Sequence, residues 1–230
     1  MEMSILDASN DFSSLSNRIG RFKEDLCTKL NIDYTSQDFR LIFLDSIQQY
    51  LLSLTSYIRG FMELQQRTSP QEFLNILNVG ITTVEEFKRS KIIYKFPIES
   101  LVTMVHFQID SFFGMICEQN GTPCKGFYPR MKKVLGCTNI EETEKDGCKN
   151  TLQCLAFFRN SFHSSGRHII DKKRWDGDTE PAIGHLDKVY SEDEMKIEFK
   201  HREVISYNWK SAFLLIDGCV EITQTIILDI

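Results

Sequence analysis

Apolar residues recur along most of this chain at intervals of three and four, the spacing of a helix face and not the alternation of a strand. Leu15, Ile19, Phe22, Leu26 and Leu30 keep that rhythm and predict a first helix over residues 11–30, with Asp11, Ser13 or Ser14 as its cap. After a break at 31–36, Phe39, Ile42, Phe43, Ile47, Tyr50, Leu51, Leu54, Ile58, Phe61 and Met62 form a wide stripe. It predicts a long core helix over 37–67, with Gly60 as a place for a bend. Thr68-Ser69-Pro70 reads as a helix start, with Ser69 as N-cap, Pro70 at the first helical position and Glu72 in the first turn of a short helix over 70–78. Thr82 or Thr83, followed by Glu85 and Glu86, predicts another start, running to about Tyr94 and closed by Lys95-Phe96-Pro97.

Pro97 then opens a long helix over 98–119, with Leu101, Val102, Val105, Ile109, Phe112, Phe113 and Ile116 on its buried side. Asn120-Gly121-Thr122-Pro123 stops it. A short helical piece over 128–135 and a turn at 136–139 follow. The next helix covers 140–162, interrupted or frayed near Gly147 and strongest over 150–162. Residues 171–191 are polar and irregular. Met195, Ile197 and Phe199 then alternate with Lys196, Glu198 and Lys200, which is strand periodicity over 195–205. Val189-Tyr190 is the expected partner strand and 191–194 the turn. Trp209, Phe213, Leu214, Ile216, Val220, Ile222 and Ile226 predict a closing helix over 207–227. The pattern therefore predicts a single all-α domain over 1–230 with a small β-hairpin insertion, about 188–205, before its last helix.

Composition agrees with this picture. At 230 residues the chain is long enough for a sizeable core, and 42% hydrophobic with 26% charged residues is ordinary for a soluble globular protein. The net charge of −5 weighs against a protein that coats nucleic acid non-specifically, but it leaves room for a small basic cleft. The seven cysteines are odd in number and none has C-x-x-C spacing, so a zinc ribbon is not expected and free thiols in a reducing cytoplasm are. The first ten residues lack a basic and an apolar region, and no uninterrupted apolar run nears the ~18 residues of a membrane span.

One stretch concentrates chemistry. Residues 157–168 put Arg159, Asn160, His163, Arg167 and His168 directly after an apolar run. On a helix, Arg159 and His163 stand at i and i+4 and project about one turn apart from one face. A guanidinium there can hold a phosphate and an imidazole can move a proton. The same spacing also suits a structural arginine between helices and a histidine hydrogen-bonded at a bundle edge. Asn160 suits helix packing as well as orientation of a phosphate. Arg167 and His168 extend toward a basic rim with Lys172, Lys173 and Arg174, where a solvated charged loop is the alternative. Cys154 falls in the apolar run and reads as a buried thiol, while His106, His185 and His201 lie in separate elements and receive no role.

Arg159-Asn160-Ser161-Phe162-His163-Ser164-Ser165-Gly166 resembles the signature of the HEPN superfamily, helical proteins in which a late helix carries an arginine, a polar residue and a histidine. The three residues between Arg159 and His163 are fewer than in the main family pattern and match its R-N-S-hydrophobic-H subset. The sequel fits that subset too: a polar hairpin, an aromatic-containing strand, then Tyr207-Asn208-Trp209 opening a closing helix. The likeness is specific over about a dozen residues and topological over 148–230. It implies a HEPN-like helical bundle and a homodimer. It also implies a metal-independent endoribonuclease on single-stranded RNA, without a cofactor, of the toxin or phage-defence kind. Arg159, His163 and Asn160 would be catalytic, and Arg167 and His168 would bind substrate. HEPN domains also serve as non-catalytic modules that bind a protein or nucleotide partner, such as a nucleotidyltransferase-like antitoxin.

Overall fold

The computed structural model describes residues 5–34, 37–77, 83, 92–162, 188–192, 195–200 and 203–230. Among them are seven helices and one two-stranded sheet, an all-α fold with a small hairpin before its last helix. The helices are α1 (Ile5–Leu30), α2 (Phe39–Arg67), α3 (Pro70–Leu77), α4 (Ile92–Gln119), α5 (Phe127–Gly136), α6 (Glu142–Phe162) and α7 (Trp209–Asp229), and the strands are β1 (Lys188–Glu192) and β2 (Met195–Phe199). The chain gathers into two compact units, one of Met1–Gln37 with Leu44–Leu101 and one of Asp38–Phe43 with Val102–Ile230.

In the first unit, the stripes read from periodicity become core: Phe12, Leu15, Ile19 and Leu26 of α1 are buried, as are Leu44, Ile47, Leu51 and Ile58 of α2. Helix α1 starts ahead of the expected residue 11, so Asp11, Ser13 and Ser14 are helix interior and not caps. The serines here serve the contact between helices instead. Arg59 of α2 donates to Ser9 Oγ at 3.1 Å and to Ser13 Oγ at 3.3 Å. Gln48 Nε2 donates to the Ser16 carbonyl at 3.2 Å, and a Cβ on Gly20 would stand 2.7 Å from the same nitrogen. Small side chains on α1 are thus what lets α2 approach. Helix α3 begins as its sequence predicts: the Glu72 amide donates to Ser69 Oγ at 3.3 Å while the Ser69 amide donates to Glu72 Oε2 at 2.9 Å, a reciprocal capping box. The expected start at Thr82 or Thr83, Glu85 and Glu86 lies outside the described residues apart from Thr83.

Pro97 does not begin a helix. Helix α4 starts at Ile92 and runs through Lys95-Phe96-Pro97. The missing proline N–H deprives only the Ile93 carbonyl of its donor, a loss tolerable this close to a helix start.

In the second unit, Phe39 and Phe43 stack on Phe112 with centroids 5.5 and 4.7 Å away. Val102, Val105, Ile109, Phe113 and Ile116 of α4 are buried there. Gly121, at φ 65°, turns the chain out of α4. Helix α6 is continuous through Gly147. An interior glycine costs about 1 kcal/mol relative to alanine, which the packing of Leu152, Leu155 and Phe158 outweighs. The hairpin is antiparallel with Tyr190 opposite Ile197 and Glu192 opposite Met195. Ile197 and Phe199 point inward, while β2 ends at Phe199, short of residue 205, and Val204 is exposed. Asn150 of α6 ties β1 by donating to the Val189 carbonyl at 3.2 Å. Asn208 caps α7, accepting from the Ser211 amide at 2.8 Å, and its own amide donates to Ser211 Oγ at 3.2 Å.

Phe96–Gln119 and Trp209–Asp229 have the length and mean hydropathy, 1.3 and 1.5, of membrane spans, despite lacking an uninterrupted apolar run. Half or more of each window, 50% and 61%, is buried inside the protein, as in core helices. All seven cysteines are free thiols.

Candidate functional site

The end of α6 is shaped by its apolar positions. Leu152, Leu155 and Phe158 recur at three-residue spacing and are fully buried, so this side of the helix is fixed to the core. Phe158 is the anchor. Its ring meets Tyr207 at 4.6 Å and Phe199 at 6.3 Å, both edge-on, and Phe162 at 5.3 Å. Ser161 is buried and donates back to the Phe158 carbonyl at 2.6 Å. The residue that follows this anchor, Arg159, is therefore carried on a rigid turn. It is half-exposed, and its charge suits the last turn of a helix, where carbonyl ends gather negative potential.

Arg159 Nη1 donates to Asn160 Oδ1 at 3.0 Å, and Asn160 is exposed. The structure thus brings two of the expected site residues together, with Asn160 steering the guanidinium. His163, Arg167 and His168 lie outside the described residues, as do Lys172, Lys173 and Arg174.

A different histidine stands within electrostatic reach of Arg159. His106 of α4 is half-buried, with its ring 4.6 Å from that of Phe127. Burial pushes its pKa down to about 4; the positive charge of Arg159 adds to this, and the carboxylate of Asp110 opposes it. His106 is therefore neutral at physiological pH, with one N–H to donate and one lone pair to accept. Asp110 is itself occupied, accepting from Arg130 Nη1 at 2.8 Å. Arg130 also donates to the Cys124 carbonyl at 3.1 Å and the Asp110 carbonyl at 3.4 Å. Its guanidinium passes so close to Gly114 that a Cβ there would lie 3.2 Å from Cζ. The basic residues of α5 differ in what they do: Arg130 ties α5 to α4, while Lys132 and Lys133, next to buried Met131, are exposed.

Sequence reasoning missed His106 because it is remote in the chain from Arg159. One signal was present. His106 falls between Val102 and Ile109 at +4 and −3, on the edge of the buried stripe of α4, where an ionisable group is out of place.

At the end of α6 a guanidinium stands beside an exposed amide, and its charge reaches the neutral imidazole of His106. Such a set can receive an oxyanion and relay a proton. Among the described residues, no three His, Cys, Asp or Glu side chains gather as a metal cage. No family model matches the chain, and no curated protein and no solved structure is significantly similar to it.

Proposed function

We propose that this protein is a HEPN-like, metal-independent endoribonuclease of the cytoplasm that cuts single-stranded RNA as a homodimer, in the manner of a toxin or phage-defence effector. The reading rests on the resemblance of residues 159–166 to the R-N-S-hydrophobic-H signature and on the hairpin and capped helix that follow. The observation that carries it is the state of Arg159. It is held on a fixed helical turn, half-exposed, with Asn160 as its hydrogen-bond partner among the described residues. Among the described residues, Asn160 accepts from one of the five Arg159 N–H groups.

In this reading the RNA 2′-hydroxyl attacks the adjacent phosphorus, and the 5′-oxygen leaves. His163 takes the hydroxyl proton or protonates the leaving oxygen. Arg159 meets the charge that builds on the non-bridging oxygens with a planar fork of donors, and Asn160 keeps that fork aimed. Arg167 and His168 hold the flanking backbone.

Purified protein should cut unstructured RNA in EDTA, leaving 2′,3′-cyclic phosphate or 3′-phosphate ends. Arg159→Ala and His163→Ala should each lower the rate by roughly a hundredfold or more, the scale of losing a transition-state donor or an acid–base group. Cleavage at the wild-type rate in both variants would remove these residues from the mechanism. The net charge of −5 favours a second reading, a non-catalytic HEPN module that binds a protein or nucleotide partner. Intact RNA together with a stable dimer, and no growth arrest on expression, is the outcome that selects it.

A further inference from the structure

We propose that the outer face of α5, with Lys125 leading into it and Tyr128, Lys132 and Lys133 upon it, is a docking surface for single-stranded RNA. The lysines meet phosphates and the Tyr128 ring lies under a base. The choice of RNA among polyanions rests on the ribonuclease reading above; the surface itself does not.

The sequence concentrates positive charge here. Between Glu118 and Glu141 the chain carries no acidic residue, yet Lys125, Arg130, Lys132 and Lys133 all fall there, in a protein whose acidic residues outnumber its lysines and arginines by 32 to 27. Folding then sorts these side chains. Met131, Val134 and Leu135 are buried and fix one side of α5 to the protein. Phe127 packs inward, its ring 4.6 Å from that of His106 and 6.2 Å from that of Phe113. Arg130 is engaged by the Asp110 carboxylate and by two main-chain carbonyls. The rest face solvent: Lys125, Lys132 and Lys133 are exposed, and so is Tyr128, at 37%. Tyr128 and Lys132 stand at i and i+4 of one helix, so ring and ammonium lie one turn apart on one face, with Lys125 three residues ahead of the ring.

Clustered ammoniums on an otherwise acidic protein select a polyanion by charge complementarity. The ring narrows the choice. A single strand presents phosphates and open base faces together, and any base can stack on an aromatic side chain. A duplex keeps its bases stacked within, and an acidic peptide has carboxylates but no bases. Helix α5 packs on α6, the helix that carries Arg159, so docking and cleavage would share one pair of helices.

The probe is a fluorescent, unstructured 2′-O-methyl RNA oligonucleotide, which lacks the attacking hydroxyl and so stays intact. Its affinity is read by anisotropy across a salt series. Lys125→Gln, Lys132→Gln and Lys133→Gln combined should weaken binding by about tenfold or more at low salt. They should also flatten the slope of log affinity against log salt by about 2, at ~0.7 for each phosphate contact on a single strand. Tyr128→Ala should weaken binding by about fivefold or more, and Tyr128→Phe should keep it, since either ring stacks. If Tyr128→Ala does not fold, Tyr128→Leu takes its place, keeping apolar bulk without an aromatic face. Unchanged affinity and slope in the α5 triple variant overturn the surface. So does an equal loss when Lys29→Gln, Lys196→Gln and Lys200→Gln remove the same charge from other elements. Poly-glutamate that binds as tightly as the oligonucleotide, with Tyr128→Ala without effect, overturns RNA as the ligand and gives the face to an acidic protein. Two mixed outcomes separate the claims. Oligonucleotide binding that depends on the lysines and on Tyr128, with unmodified RNA left uncut, removes the ribonuclease reading and keeps the surface. Cleavage and binding at wild-type levels in the α5 triple variant remove the surface and keep the ribonuclease.

Discussion

Lys23, on α1 of the first unit, gives its ammonium to Asp45 at 2.5 Å and Gln48 at 3.1 Å and sits 4.5 Å above the ring of Tyr34. It is 2% exposed. Arg159, on α6 of the second unit, is half-exposed and has one amide oxygen for company among the described residues. Both side chains are cations on amphipathic helices, and composition does not distinguish them. Their surroundings do. A buried ammonium is stable only when its donors and charge are answered, and the three partners of Lys23 answer them. Its site is complete, and its contribution is to the fold. The site of Arg159 is anchored underneath, and among the described residues Asn160 alone answers its guanidinium.

The contrast can be broken first at its foundation. Phe158→Ala should cost about 3–5 kcal/mol, the price of emptying a fully enclosed aromatic site, and urea denaturation would read it. A loss well under 1 kcal/mol would mean that the end of α6 is not anchored and that Arg159 has no fixed platform.

A smaller effect tests the closed site. Asp45→Ala should destabilise by about 2 kcal/mol, because it strands a buried ammonium with only Gln48 and Tyr34. The carboxylate of Asp45 is half in solvent, which keeps this below the full cost of breaking a buried pair. Lys23→Met should cost less than about 1 kcal/mol, since it removes the charge and keeps most of the volume. Alkaline pH gives the same comparison another axis. Burial disfavours the Lys23 charge and is the largest single influence, but Asp45 and Tyr34 together raise its pKa above 10.5. The resulting stability is fully present below 10.5 and is lost as pH rises through the folded-state value. Lys23→Met should remove that part of the alkaline slope. An unchanged slope would mean that Lys23 is not held as its contacts indicate.

The smallest effect is at the second unit's capped helix. Asn208→Ala should lose about 1 kcal/mol by freeing amides at the start of α7, next to Tyr207, whose ring supports Phe158. Thermal melts would measure it. On the ribonuclease reading, RNA cleavage should survive, because the platform is weakened but not removed.

Much of the fold was legible because it depends on local rules. The apolar stripes of α2 and α4, the Ser69-Pro70-Glu72 start and the alternation at Met195, Ile197 and Phe199 are each set by residues close in sequence. The misreadings came where one residue type serves two purposes. Ser13 of α1 looks like a cap and is an interhelical acceptor for Arg59. Pro97 looks like a first helical residue and stands within a helix already begun. Gly147 looks like a break, and packing further along α6 carries the helix through it. The site divides the same way. Arg159 and Asn160 are neighbours in sequence and were visible together. His106 becomes relevant only when α4 and α6 are packed in one unit, and no spacing rule reaches that far.

The hairpin has one further consequence. A sheet of two strands has two open edges, and backbone groups left unpaired there invite strands from other molecules. On β2 the side chains opposite the buried Ile197 and Phe199 are charged: Glu198 bridges Lys196 and also Lys200 at 2.8 Å, and these flanking ammoniums hold its pKa near 2. The outer surface of the strand thus stays ionic even in strong acid. Its charges disfavour edge-to-edge pairing with strands of other molecules while the sheet leans on α6 and α7.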